Sequence, residues 1–183
     1  MLIEDGKGRG YSVSVTTDNQ LETFAVMHTL FEHLNEEGQV FSVSFSVTPS
    51  GANQCFFYLK NISTYNMTVK RIKLIVPITG DRIQVKVKDI GTPVGGTAVT
   101  SVNLNTISGN IANATALYGV NITGLTGGSV IDDITLPAAG KTEVFEFESA
   151  IIIGPGTTMS LYAVAGSLLI RGSLMFAFVI SGD

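Results

Sequence analysis

The stretch VFSVSFSV, from Val40 to Val47, alternates apolar and serine or valine side chains through eight residues. In an extended chain successive side chains point to opposite faces, so Phe41, Val43, Phe45 and Val47 line one face and serines the other. No helical stripe gathers that set, and the segment is predicted to be a half-buried strand. The stretch RIQVKVKDI, Arg82 to Ile90, follows the same rule, with Ile83, Val85 and Val87 opposite Arg82, Gln84, Lys86 and Lys88. Between them lie CFFYLK and the apolar run MTVKRIKLIVPI, in which Val69, Ile72, Leu74 and Val76 keep a face but the phase slips near Arg71. A slipped phase within a strand predicts a β-bulge.

Turn residues punctuate these runs at Pro49-Ser50-Gly51, Asn61 to Asn66, Thr79-Gly80-Asp81 and Gly154-Pro155-Gly156. EVFEFE at Glu143 to Glu148 alternates sharply, and LLIRGSLMFAFVI at Leu168 to Ile180 supplies a last strand. The helix signal is confined to LFEHLNEE, Leu30 to Glu37, one or two turns that Gly38 stops. About eight short strands separated by turn signals predict an all-β fold: a jelly-roll-like antiparallel β-sandwich with an extended N-terminal arm. Residues 1–38 are read as the arm with its short helical turn, and 39–183 as the sandwich.

One region breaks the pattern. Gly91 to Gly128 is Gly, Thr, Ser and Asn with thin apolar spacing and no charge. It is compatible with short strands at Ala98 to Leu104 and Leu117 to Ile122, or with a long excursion ordered by a neighbour. Uncharged β-prone segments are aggregation hazards when left open, so this one is expected to be covered. Composition points the same way: 45% of the 183 residues are apolar and only 14% charged. Spare apolar surface of that kind serves either a subunit contact or a well-filled β core.

Eleven Lys and Arg against fifteen Asp and Glu give a formal charge of −4, with no basic run to neutralise phosphates. Nucleic-acid binding is excluded on that ground. The lysines and arginines between Lys60 and Lys88 are read as solvated strand faces. No secretory signal is recognised at Met1-Leu2-Ile3, and apolar runs such as Leu174 to Ile180 are far short of a bilayer span, so no membrane partner is expected. Asn61, Asn66, Asn113 and Asn121 head N-x-Ser/Thr sequences but are expected to carry no glycan.

The search for chemistry returns little. Gly6-Lys7-Gly8-Arg9-Gly10 lacks the Lys-Ser/Thr ending of a phosphate loop, and a β-prone segment follows it where a helix would be needed. The glycines are read as letting an arm run flat and change direction. His28 and His33, the two histidines, are five apart and share no face cleanly. They supply neither a jelly-roll metal set nor a Ser-His-Asp triad. Asp132-Asp133 is read as part of a turn. Glu146 and Glu148 share a strand face about 7 Å apart, read as solvated. The lone Cys55 is read as buried filler. No enzyme activity, metal or cofactor is expected.

The opening stretch GKGRGYSVSVTTDNQLETFAV resembles the N-terminal signature of small virion proteins of tailed bacteriophages, on Gly6, Gly8, Gly10, Val13, Val15, Asp18, Asn19, Leu21, Thr23, Ala25 and Val26. Phe57 to Asn61, the strand Val69 to Val76 and the strand-turn-strand from Val144 to Leu161 are similar in pattern, whereas Gly91 to Gly128 does not align. The resemblance implies a capsid decoration (cement) protein of the jelly-roll type, sitting as homotrimers on the outer surface of a phage head. Its partners would be the major capsid protein and itself, its place the virion, and its assembly the host cytoplasm. The candidate contact arm is Gly6, Gly8, Gly10, Tyr11, Val13, Val15, Leu21 and Phe24. The alternative is a receptor-binding jelly-roll domain of a tail fibre or baseplate.

Overall fold

The computed structural model describes residues 14–15, 21–22, 30–75, 80–136 and 142–179. Among them are twelve strands and one helix: β1 (Ser14–Val15), β2 (Leu21–Glu22), α1 (Leu30–Glu36), β3 (Val40–Val47), β4 (Gln54–Asn61), β5 (Asn66–Ile75), β6 (Arg82–Val94), β7 (Thr97–Ala98), β8 (Val102–Asn103), β9 (Ala114–Thr135), β10 (Thr142–Ile153), β11 (Thr158–Ala163) and β12 (Ile170–Val179). One sheet has the order β10-β5-β12-β3-β8 and the other β4-β11-β6-β9-β7, with β9 also paired to β4. Setting aside the two-residue strands, the orders β3-β12-β5-β10 and β4-β11-β6-β9 are those of a jelly roll. The fold is an all-β sandwich in which every pairing is antiparallel.

The alternation in β3 holds as the sequence predicts. Phe41, Val43, Phe45 and Val47 are buried, and Ser44 and Ser46 are exposed. Phe41 packs against Phe176 and Phe178 of β12, each ring centroid 5.8 Å away. Phe45 reaches across the sandwich to Phe56 and Phe57 of β4 at 5.9 and 4.7 Å. Two consecutive phenylalanines enter one core because the ladder skips Phe56: Leu161 faces Phe57 and Tyr162 faces Cys55. The phase slip near Arg71 is also a bulge. Arg71 opposes Met175 and Val69 opposes Phe176, leaving Lys70 without a counterpart. Lys70 Nζ then lies 5.6 Å from the Phe31 ring centroid of α1.

The predicted helix forms and stops at Gly38, whose φ of 68° suits a residue without Cβ at a helix C-terminus. Gly38 N–H donates to Asn35 O and Gln39 N–H to Leu34 O. Leu34 docks on Val40 and Ala177, so α1 caps the outer face of its sheet. Beneath it Thr68 is buried, with no hydrogen-bond partner for its Oγ1 among the described residues. Thr68→Val removes that orphan at nearly constant volume and is expected to stabilise the fold by about 1 kcal/mol. A melt raised by about 2–4 °C checks it; a lower melting temperature would mean that the hydroxyl has a partner.

In the middle of the chain strands fall within both stretches read as possible strands, but they divide differently: β7 and β8 are two residues each, and Leu117 to Ile122 is part of one 22-residue strand, β9. Asp132 and Asp133 therefore lie within a strand and not in a turn. Asp133 accepts a forked pair from Arg82, Nε at 3.0 Å and Nη2 at 2.6 Å. That guanidinium holds the Asp133 carboxyl below its ordinary range.

Asn61 is the buried polar hub at the end of β4. Its amide nitrogen donates to Tyr65 O at 2.8 Å and Ile153 O at 2.9 Å, while its Oδ1 accepts from the Ser63 N–H and hydroxyl. An amide so enclosed has no room for a glycan.

Candidate interaction surfaces

Two features stand out, and β6 leads to both. The strand keeps its apolar phase through Ile83, Val85 and Val87, which would send Asp89 into the core. Lys88 prevents this by taking a left-handed φ of 62°, uncommon for a residue with a Cβ, and the face reverses. Asp89 is turned instead toward Ser160 and Tyr162 of β11. The Ser160 hydroxyl donates to the Asp89 carboxylate, Tyr162 OH lies 3.4 Å from the same oxygen, and Thr158 Oγ1 donates to Asp89 O at 3.0 Å. Lys86 Nζ sits 3.8 Å from the Tyr162 ring centroid.

Cys55, Tyr58 and Ile122 form a small second core on this face, joined by Leu117, Leu125 and Tyr162. The first half of β9 closes over it by pairing with β4, from Asn61 opposite Ala114 to Cys55 opposite Ile122. Burial first, and then the Asp89 charge, push the Cys55 thiol up to about 12. Burial also raises the hydroxyls of Tyr58 and Tyr162. Thiol and phenols are thus held protonated, and the cluster fastens β6 to β11 without offering a nucleophile. A carboxylate at an apolar phase, Asp89 after Val85 and Val87, was its signal in the sequence.

Above this anchor the two strands leave the body. β6 pairs with β11 only from Ile83 to Val87, and β9 with β4 only as far as Ile122. Beyond those limits, among the described residues, they pair with each other alone: Asp89 opposite Gly127, Ile90 opposite Thr126, Gly91 opposite Leu125 and Val94 opposite Thr123. The result is a two-stranded ribbon in which residues 126–128 are exposed, and the exposure continues along β9 to Ile131 where it rejoins the sheet. Ile90 and Val94 are 70% and 59% accessible, and Val130 and Ile131 nearly half so. Gly91 and Gly124 cross at its centre, where a Cβ on Gly91 would stand 2.1 Å from Gly124 O. From Gly91 to Ile131 the sequence holds no charge.

Of the arm residues, the structure describes Ser14–Val15 paired with Leu21–Glu22, which sets Val15 opposite Leu21. The two short segments run antiparallel. Gly6, Gly8, Gly10, Tyr11, Val13 and Phe24 lie outside the described residues, as does His28. His33 is on α1, its Nε2 3.3 Å from Glu37 Oε1. Among the described residues no three His, Cys, Asp or Glu side chains are placed to hold a metal ion. No described helix is long and apolar enough to cross a membrane.

The site and fold define a jelly-roll domain bearing a ribbon that is free of charge from Gly91 to Ile131. No protein-family model and no curated protein matches the chain. Among solved structures it is similar to T=1 particles derived from infectious bursal virus, at 14% identity and a TM-score of 0.21 over 77% of this chain and 40% of that one. It is also similar to the T13 particle of that virus, at 16% identity and a TM-score of 0.22 over 77% and 39%. The VP2 subviral particle of infectious bursal disease virus matches at 14% identity and a TM-score of 0.20 over 77% and 41%. The chain thus spans about two fifths of the length of these viral particle proteins.

Proposed function

We propose that this chain is a non-enzymatic virion structural protein that decorates the outer surface of a tailed-bacteriophage head as homotrimers and stabilises the shell. The observation that carries the reading is the ribbon: an exposed pair of strands, without charge from Gly91 onward, on a rigid sandwich suits permanent assembly, not a reversible charged encounter. The pattern resemblance of the opening stretch supplies the phage context and the arm that would reach the major capsid protein. Many copies on a symmetric shell need only weak individual contacts, since multivalent attachment multiplies them.

Immunogold electron microscopy of intact particles tests the placement. Label spread over the head at high copy number is the expected result; label confined to the tail tip would assign the chain to a fibre or baseplate, and unlabelled particles would refute both. Deleting residues 1–20 is expected to leave a folded β domain, by far-UV circular dichroism, that no longer binds shells. Retained binding would remove the arm from the attachment role.

A further inference from the structure

We infer that copies of this chain join one another through the ribbon, with the free edge of β9 from Thr123 to Ile131 at the centre of the contact. The inference deepens the proposed self-assembly and rests on it. Three observations carry it. One side of this segment pairs with β6, and the other side has no strand partner among the described residues, so a row of backbone N–H and C=O groups faces outward. A two-stranded ribbon anchored at its base by Asp89 and Leu125 is marginal alone and gains from any strand that covers it.

The edge also lacks the charge and the proline that commonly block such pairing. Thr123 to Ile131, TGLTGGSVI, has no Lys, no other charge and no Pro. An edge with neither charge nor proline pairs first with the compatible edge it meets most often, which is that of another copy made beside it. Charge selects the same partner. A protein of formal charge −4 repels its own copies, and the segment from Gly91 to Ile131 is where two copies meet without like charges opposed. An oppositely charged partner would find no complementary group there, whereas the apolar side chains Ile90, Val94, Val130 and Ile131 of two ribbons cover one another.

Sedimentation of the full chain is expected to show an oligomer, and Thr126→Lys/Val130→Lys a folded monomer, with association weakened on the order of 100-fold or more by like charges brought together. Both positions are exposed, so an unchanged circular dichroism spectrum separates lost assembly from lost fold. A second variant reads proximity directly. Since the native cysteine is buried, Ser129→Cys adds the one accessible thiol among the described residues and is expected to yield an interchain disulfide. Ser46→Cys, exposed on the opposite sheet, is expected to yield none. An oligomer that survives the lysine pair and does not cross-link at residue 129 overturns the inference while leaving self-assembly standing. So does an oligomer lost on deletion of residues 1–20 but kept in the lysine variant, which would make the arm the joining element. A wild-type chain that sediments as a monomer sinks both.

Discussion

Asn61→Ala lowers the stability of the fold by about 3 kcal/mol, a large effect for a single polar side chain. The amide is fully buried, donates to two backbone carbonyls and accepts from Ser63 twice. Its removal leaves Ile153 O, on a strand 92 residues away in sequence, without that donor, and frees the loop between β4 and β5. For a domain of this size the melting temperature is expected to fall by about 6–12 °C. Ser63→Ala, which removes the hydroxyl and leaves the amide's bonds to Tyr65 and Ile153, should cost about a third as much. Equal losses in the two variants would show that the loop, and not the amide, holds this corner.

Stability is also expected to fall steeply above pH 9. In an unfolded chain the Cys55 thiol loses its proton near its ordinary value of 9.0, whereas in the fold it keeps it to about 12. Between those values the unfolded state releases a proton that the folded state retains, so rising pH favours unfolding. The slope is about 1.4 kcal/mol per pH unit, or roughly 2–3 kcal/mol by pH 11 from Cys55 alone. Tyr58 and Tyr162 are raised in the same direction and steepen the loss above pH 10. Urea titrations at pH 8, 9.5 and 11 measure it. Cys55→Ala should flatten the curve between pH 9 and 10. Asp89→Asn, which removes a charge that raises all three groups, should lessen the loss at pH 11. A wild-type curve flat to pH 11 would mean that water reaches the cluster.

The strands with one buried face were legible because alternation is local. β3 and the first part of β6 announce their inward residues, the Lys70 bulge shows as a broken phase, and Gly38 ends α1 where its backbone must turn left-handed. β9 was legible only as the short stretch Leu117 to Ile122, although it runs to 22 residues. Its first half is covered on one face by the main core and on the other by a second core, and its second half is mostly exposed until Ile134 re-enters the main core, so neither half alternates. The Asp89 anchor was hidden for a related reason. Cys55, Tyr58, Asp89, Ser160 and Tyr162 come from three strands, and only the pairing of β11 with both β4 and β6 puts them on one face.

What the sequence by itself determined is therefore which residues of each simple strand face inward, where the chain turns, and that one long segment carries no charge. These are properties of neighbours along the chain, set by the two-residue period of extended backbone and by glycine and proline at turns. Only the tertiary structure decided that β9 wraps from β4 to β6, that Lys88 reverses the face of β6, and that the uncharged segment rises as a ribbon. Those outcomes depend on which distant edges compete for the same hydrogen bonds, and that competition is settled when two sheets close on a shared core.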